Sequence, residues 1–263
     1  MDTPTRAPSL FVSHGSPMWA LEPGLAGPAL RRIGAALPDL SAIVVVSPHW
    51  QTRGVRVTAT SAPETIHDFG GFPGVLYTLQ YTPPGAPELA ADIEGLLREA
   101  GIDTQLDPGR GLDHGAWVPL RYLKPDADVP VVQVSMPHDL DPAGALRLGQ
   151  ALAPLRERGV LVLGSGSLTH NLFEFRREIR DPEYAQSFAD WVADAAARRD
   201  ADALVDYRAR APHARRAHPT EEHYLPLLVA LGASVDDEAP TRIEGGMTYG
   251  VLSMDGFGFG LPH

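Results

Sequence analysis

The sequence predicts a single α/β domain, in which a central mixed, mostly parallel sheet is flanked by helices and carries a metal site at one edge. Three observations predict it. Short runs of β-branched and aromatic residues alternate with longer segments of helical periodicity, which is the pattern of a covered sheet. Several of those short runs stop at small residues and proline. Histidine stands at or just beyond the stop in three of them, where open α/β sheets gather their ligands.

Taken in order, Ser9-Leu10-Phe11-Val12 is a first strand leading into Ser13-His14-Gly15-Ser16-Pro17. A helix is expected over Leu25 to Leu37. A second strand, Ala42-Ile43-Val44-Val45-Val46, leads into Ser47-Pro48-His49-Trp50. Further strands are expected at Val55 to Thr60, Val129 to Val134 and Val160 to Leu163. Helices are expected at Pro87 to Ala100, Pro142 to Arg158, Pro182 to Arg199 and Glu221 to Leu231. Several of these open on proline or an acidic first turn, and Gly101, Gly159 and Gly232 occupy C-terminal cap positions. No Ser/Gly or charged linker divides residues 1–263, and the proline patches at Pro83 to Pro87 and Pro212 to Pro219 are short, so one domain is expected throughout.

Composition excludes several classes. With 44% hydrophobic and 21% charged residues, the chain reads as globular, and no apolar run nears the roughly 18 to 20 residues that span a bilayer. The start, Met1-Asp2-Thr3-Pro4-Thr5-Arg6, lacks a basic n-region and an apolar h-region, which predicts a cytoplasmic protein. A net charge of −11 argues against a nucleic-acid partner, and the arginine pairs Arg176-Arg177 and Arg215-Arg216 read as solvated surface. With no cysteine, any transition metal must be held by nitrogen and oxygen.

Six of ten histidines sit in distinctive settings, spread over more than two hundred residues: His14, His49, His67, His114, His170 and His223. In Val160 to Asn171 a buried strand runs through Gly164-Ser165-Gly166 to His170. The spacing fits neither a dinucleotide fingerprint nor a P-loop, so the glycines read as close backbone approach to a ligand. In Leu112-Asp113-His114-Gly115-Ala116-Trp117, Asp113 either caps the next helix or also orients His114 as an acid/base pair. In His218-Pro219-Thr220-Glu221-Glu222-His223, Thr220 is the expected N-cap and His223 falls in the first turn. His67, among Phe69, Gly70, Gly71 and Phe72, reads as a pocket lid or wall; His213 reads as surface and His218 as at most a neighbour of the site. Trp50 is expected to pack into the core. Arg53, Arg121 and Arg242 are candidate partners for a substrate carboxylate, with solvated surface the equal alternative.

The ordered set Ser13-His14-Gly15-Ser16-Pro17, Ser47-Pro48-His49-Trp50, Asp68-Phe69-Gly70-Gly71-Phe72-Pro73, Asp113-His114-Gly115-Ala116-Trp117 and His218 to Leu227 resembles the DODA-type (class III, LigB-like) extradiol aromatic ring-opening dioxygenases. The resemblance covers nearly the whole chain. It implies that His14, His49 and His223 hold the metal, that His170 joins the coordination or acts as acid/base, and that His114 is a further catalytic imidazole. It implies Fe(II) as the catalytic metal, a small aromatic diol and O2 as substrates, and a muconic-semialdehyde-type product. An all-histidine site also suits Zn(II), which a purified sample is expected to be able to carry. A zinc hydrolase and a noncatalytic binding protein of the same superfamily are the competing readings. A monomer or small homo-oligomer is expected.

Overall fold

The computed structural model describes residues 6–176 and 182–262. His263 and most of the amino-terminal stretch read above for a signal peptide lie outside the described residues. The strands are β1 (Ser9–Ser13), β2 (Ala42–Thr52), β3 (Val55–Thr58), β4 (Thr104–Asp107), β5 (Val131–Pro137), β6 (Val160–Gly166), β7 (Pro240–Ile243), β8 (Met247–Thr248), β9 (Leu252–Ser253) and β10 (Gly256–Phe259). The α-helices are α1 (Ala26–Ala36), α2 (Pro87–Glu99), α3 (His114–Leu123), α4 (Pro142–Leu152), α5 (Leu172–Arg176), α6 (Pro182–Ala197), α7 (Ala201–Val205), α8 (Tyr207–Arg210), α9 (Ala214–Ala217) and α10 (Leu225–Ala233).

Eight strands form one sheet in the order β4-β3-β5-β2-β6-β1-β10-β7, and β8 and β9 make a separate hairpin. The centre, β5-β2-β6-β1, is parallel, as is the β3-β4 pair at one edge. Antiparallel pairings join β1 to β10, β10 to β7 and β3 to β5. The mixed, mostly parallel sheet expected from the sequence is what forms.

The reason lies in strands that are apolar on both faces. Val44 and Val46 of β2, with Val160 and Val162 of β6, belong to the core beneath α2, α4, α6 and α10. Ile43 and Val45, with Leu161 and Leu163, alternate onto the other face, where they meet α1 and α3. Helices thus cover both sides, and the carboxyl ends of the parallel strands are left to the loops. Among the described residues no helix is long and apolar enough to cross a membrane.

Four expectations need correction. β4, β7, β8, β9 and β10 were not expected as strands; β10, Gly256-Phe257-Gly258-Phe259, is short and half glycine, which weakens its strand signal. Gly232 lies inside α10 rather than capping it, because a Cβ there would collide with the Leu146 carbonyl of α4. The segment expected as one helix over Pro142 to Arg158 is α4 followed by a 3-10 stretch ending at Gly159, whose φ is +76°. The last helix starts at Leu225, not Glu221, and Thr220 bonds the Glu222 side chain at 2.9 Å instead of capping.

Candidate metal centre

His14 follows β1, and its backbone N–H donates to the Gly166 carbonyl of β6 at 2.8 Å. Its Nδ1 lies 3.0 Å from Ser165 Oγ, whose own proton goes to the Gly115 carbonyl. Ser165 therefore accepts the Nδ1 proton, and His14 Nε2 is left as a lone pair. His49 Nε2 faces that lone pair at 3.0 Å. His49 is not at a strand end as expected: β2 continues to Thr52 past an irregularity between Val46 and Gln51, which turns the imidazole toward His14.

His223 stands in the turn before α10. A Cβ on Gly166 would collide with the His223 carbonyl and one on Gly164 with the Pro226 carbonyl, so these glycines admit the protein's own chain rather than a ligand. The Ser167 N–H then donates to the His223 carbonyl at 2.9 Å, fixing the segment on the sheet. The rings of His14, His49 and His223 form a nearly even triangle, with centroids 4.9, 5.4 and 5.1 Å apart. His223 Nδ1 sits 3.1 Å from Glu222 Oε1, which directs its Nε2 away from that carboxylate. His170 stacks on His223 at 3.4 Å, with its backbone held by the Ala217 carbonyl. The ligand-capable atoms of His14, His49 and His114 lie within 4.8 Å of one another, as do those of His170, Glu222 and His223.

His114 is the first residue of α3. Asp113 is the N-cap, accepting from Ala116 N at 3.2 Å and from Ser47 Oγ at 2.9 Å, and it does not touch the imidazole. The partner of His114 is Asp68, which the sequence reading passed over. Asp68 Oδ1 accepts from the His114 backbone N–H at 2.9 Å, and both carboxylate oxygens lie 3.0 Å from its Nδ1. Burial alone would raise the Asp68 carboxyl, but the bonds and charge of His114 outweigh it and hold it down to about 2.

Burial is also the first cause of the lowered values on the histidines. It pushes His14 and His223 well below the usual range, His49 to about 3 and His170 to about 4, with the neighbouring imidazoles adding to the shifts on His14, His49 and His223. These imidazoles are consequently neutral near pH 7, the state that ligates metal. Two nitrogens held at about 2.1 Å on one first-row ion stand about 3 to 3.4 Å apart, so the separation of His14 Nε2 and His49 Nε2 fits a shared ion.

The histidines open on a cleft of about 340 Å³, walled by Pro17, Phe69, Phe72, Leu172, Phe175 and Leu252. His67 lies behind this wall, not on it. It packs against Phe69 and Trp117, and its Nε2 donates to the Leu79 carbonyl at 2.9 Å. His218 is buried among Phe188, Tyr207 and Tyr224, His213 is exposed, and Trp50 is buried under Arg110. Arg53, Arg121 and Arg242 do not line the cleft, and Arg242 is tied to Asp255 at 2.6 Å.

A neutral nitrogen-rich centre under an aromatic-walled cleft is the property of a non-heme metal enzyme acting on a small planar molecule. Residues 10–254 match the catalytic LigB subunit of aromatic ring-opening dioxygenase, and the chain belongs to that family. It is similar to the 4,5-DOPA dioxygenase extradiol of Escherichia coli K12, 41% identical over 95% of this chain and 93% of the relative. It is likewise similar to the protein of that name from Beta vulgaris, 38% identical over 95% and 96%. A crystal structure of an uncharacterized Escherichia coli K12 protein superposes with a TM-score of 0.80 at 37% identity, covering 96% of this chain and 99% of that one. The chain is an extradiol dioxygenase.

Proposed function

We propose that the protein opens the ring of a small catechol beside its diol, consuming O2 at Fe(II) and releasing a muconic-semialdehyde-type product. The observation that carries this reading is the pairing of the His14, His49 and His223 triangle with two further imidazoles, His114 and His170, on one aromatic-walled cleft. His14, His49 and His223 would hold the metal, with His170 beside them as a fourth ligand or as an acid/base. Bound there, Fe(II) supplies Lewis acidity toward the catechol oxygens and electron exchange with O2.

The chain's own groups do the rest. Phe69, at 5.6 Å and edge-on to His114, and Phe72 offer faces that orient an aromatic ring. Asp68 occupies His114 Nδ1, so Nε2 points its lone pair into the cleft to take a phenolic proton. His170, neutral and also lining the cleft, is placed to carry a second proton. The relatives named for 4,5-DOPA support a substituted catechol as the substrate class.

The test is anaerobic loading of the metal-free protein with Fe(II), and separately with Zn(II), followed by catechols and O2. Equimolar oxygen uptake and a new yellow chromophore with Fe(II) alone are expected. No oxygen uptake by the Fe(II) sample with any catechol would overturn this reading.

A further inference from the structure

The wall of the cleft that carries Leu172 and Phe175 is α5, which begins two residues after His170 and is five residues long. A helix of that length is not held by its own hydrogen bonds, so its place is set by what grips it. Three grips lead to α9. The His170 backbone N–H donates to the Ala217 carbonyl at 2.8 Å. Asn171 Nδ2–H donates to the Arg216 carbonyl at 2.9 Å, while its Oδ1 accepts from the Glu174 N–H at 3.2 Å and caps α5. The third grip joins side chains: Arg216 Nε–H and Nη2–H donate to the two Glu174 oxygens at 2.8 and 3.3 Å. Arg216, expected from the sequence as solvated surface, is thus paired.

The two partners are anchored unequally. The Arg216 guanidinium lies 4.0 Å over the ring of Tyr184, a buried residue of α6, and so belongs to the body of the protein. Glu174 is 8% exposed and rides on the short helix. A carboxylate so far out of water keeps its place only while a cation answers it. Left unpaired, it is relieved most cheaply by an outward swing of α5, which carries Leu172 and Phe175 with it. Leu172 is already exposed at the rim, and Phe175 rests edge-on against Tyr249 at 4.8 Å.

We propose that the Glu174–Arg216 pair is a positioning latch that sets the width of the cleft, and thereby the bulk of the substituent that a bound catechol can carry. Neither residue lines the cleft, so the pair acts through α5. The inference rests on the dioxygenase reading for the position of the ring. With the diol at the histidines, a ring substituent has Leu172 and Phe175 among the walls it meets.

The experiment measures binding of 4-methylcatechol and 4-tert-butylcatechol to the anaerobic protein as isolated, by titration calorimetry. The readout is the ratio of the two dissociation constants, which a partly unfolded sample leaves unchanged. Arg216→Gln strands the carboxylate and is expected to shift the ratio about tenfold toward the tert-butyl compound, the discrimination that methyl groups exert in a shaped apolar pocket. Adding Glu174→Gln removes the stranded charge, and the double variant is expected to recover at least half of that shift on a logarithmic scale. A ratio unmoved by Arg216→Gln, or a double variant shifted as far as the single one, overturns the latch. So does an equal shift in Arg215→Gln, which removes a charge from an exposed position of α9. Oxygen uptake is read in parallel on the Fe(II)-loaded protein. If neither catechol consumes oxygen but the ratio moves as described, the latch stands and ring cleavage falls. Oxygen uptake with an unmoved ratio gives the reverse.

Discussion

Asp68 grips His114 at two points, accepting both its backbone N–H at 2.9 Å and its Nδ1–H at 3.0 Å. The helix start and the imidazole are thereby locked as one unit, and the ring cannot turn without breaking a part-buried charge-assisted bond. Asp68→Asn keeps an acceptor but loses the charge. Turnover should fall about tenfold to a hundredfold, with metal stoichiometry unchanged at saturating metal, as read by oxygen uptake and metal analysis.

Removing a proposed ligand and removing a proposed proton carrier should give opposite signatures. His14→Ala or His49→Ala is expected to abolish metal binding at micromolar metal. His114→Ala should keep the metal and lower kcat about a hundredfold. Loss of metal from a folded His114→Ala protein would move His114 into the ligand set.

Ser165 bears on the proposed metal site only through His14, since its hydroxyl accepts a hydrogen bond from Nδ1–H and donates its own proton to the Gly115 carbonyl. Ser165→Ala should therefore weaken metal affinity about tenfold to a hundredfold by freeing the ring and its tautomer. Competition with a chromophoric chelator reads this directly, and unchanged affinity would sever the link.

Gly115 sits where three parts of the site converge. A Cβ there would collide with Ser47 Oγ and crowd His49 Cδ2 at 3.0 Å. Gly115→Ala should cost about 1–3 kcal/mol of stability and reduce metal affinity by displacing His49. Urea unfolding with and without metal separates the two effects.

The metal-free protein should be acid-labile. His218 is fully buried, its Nε2–H bonded to the Leu168 carbonyl at 2.9 Å, and burial lowers it to about 3. Above pH 6.5 neither state is protonated at this position. Below it the unfolded chain takes up a proton and the folded one does not, so stability is lost as pH falls from about 6.5 toward 3. His218 alone accounts for about 2 kcal/mol at pH 5. Urea midpoints at pH 7 and pH 5 in chelator should show the loss, and a pH-independent midpoint would mean the group is accessible in the fold.

Much of the site was legible because its residues sit in local patterns. His14 follows a short apolar run, and Asp113 precedes an apolar helix it does cap. What was not legible depends on contacts between distant segments. Asp68 and His114 are forty-six residues apart, and nothing in the loop around Asp68 marks it as the partner of one histidine over another. Ser165 lies in a glycine run that reads as close backbone approach to a ligand, whereas Gly164 and Gly166 are there to seat the His223 segment. β10 went unseen because it is four residues long and half glycine, and its role, pairing with β1, depends on a distant segment.

Because β1 is flanked by β6 on one side and β10 on the other, the strand beneath His14 is made early and completed late. A ribosome delivers His14 and His49 well before His223, and the Gly256–Phe259 strand later still. No nascent segment can assemble the triangle by itself, so the proposed ligand set is complete only after nearly the whole chain has been translated.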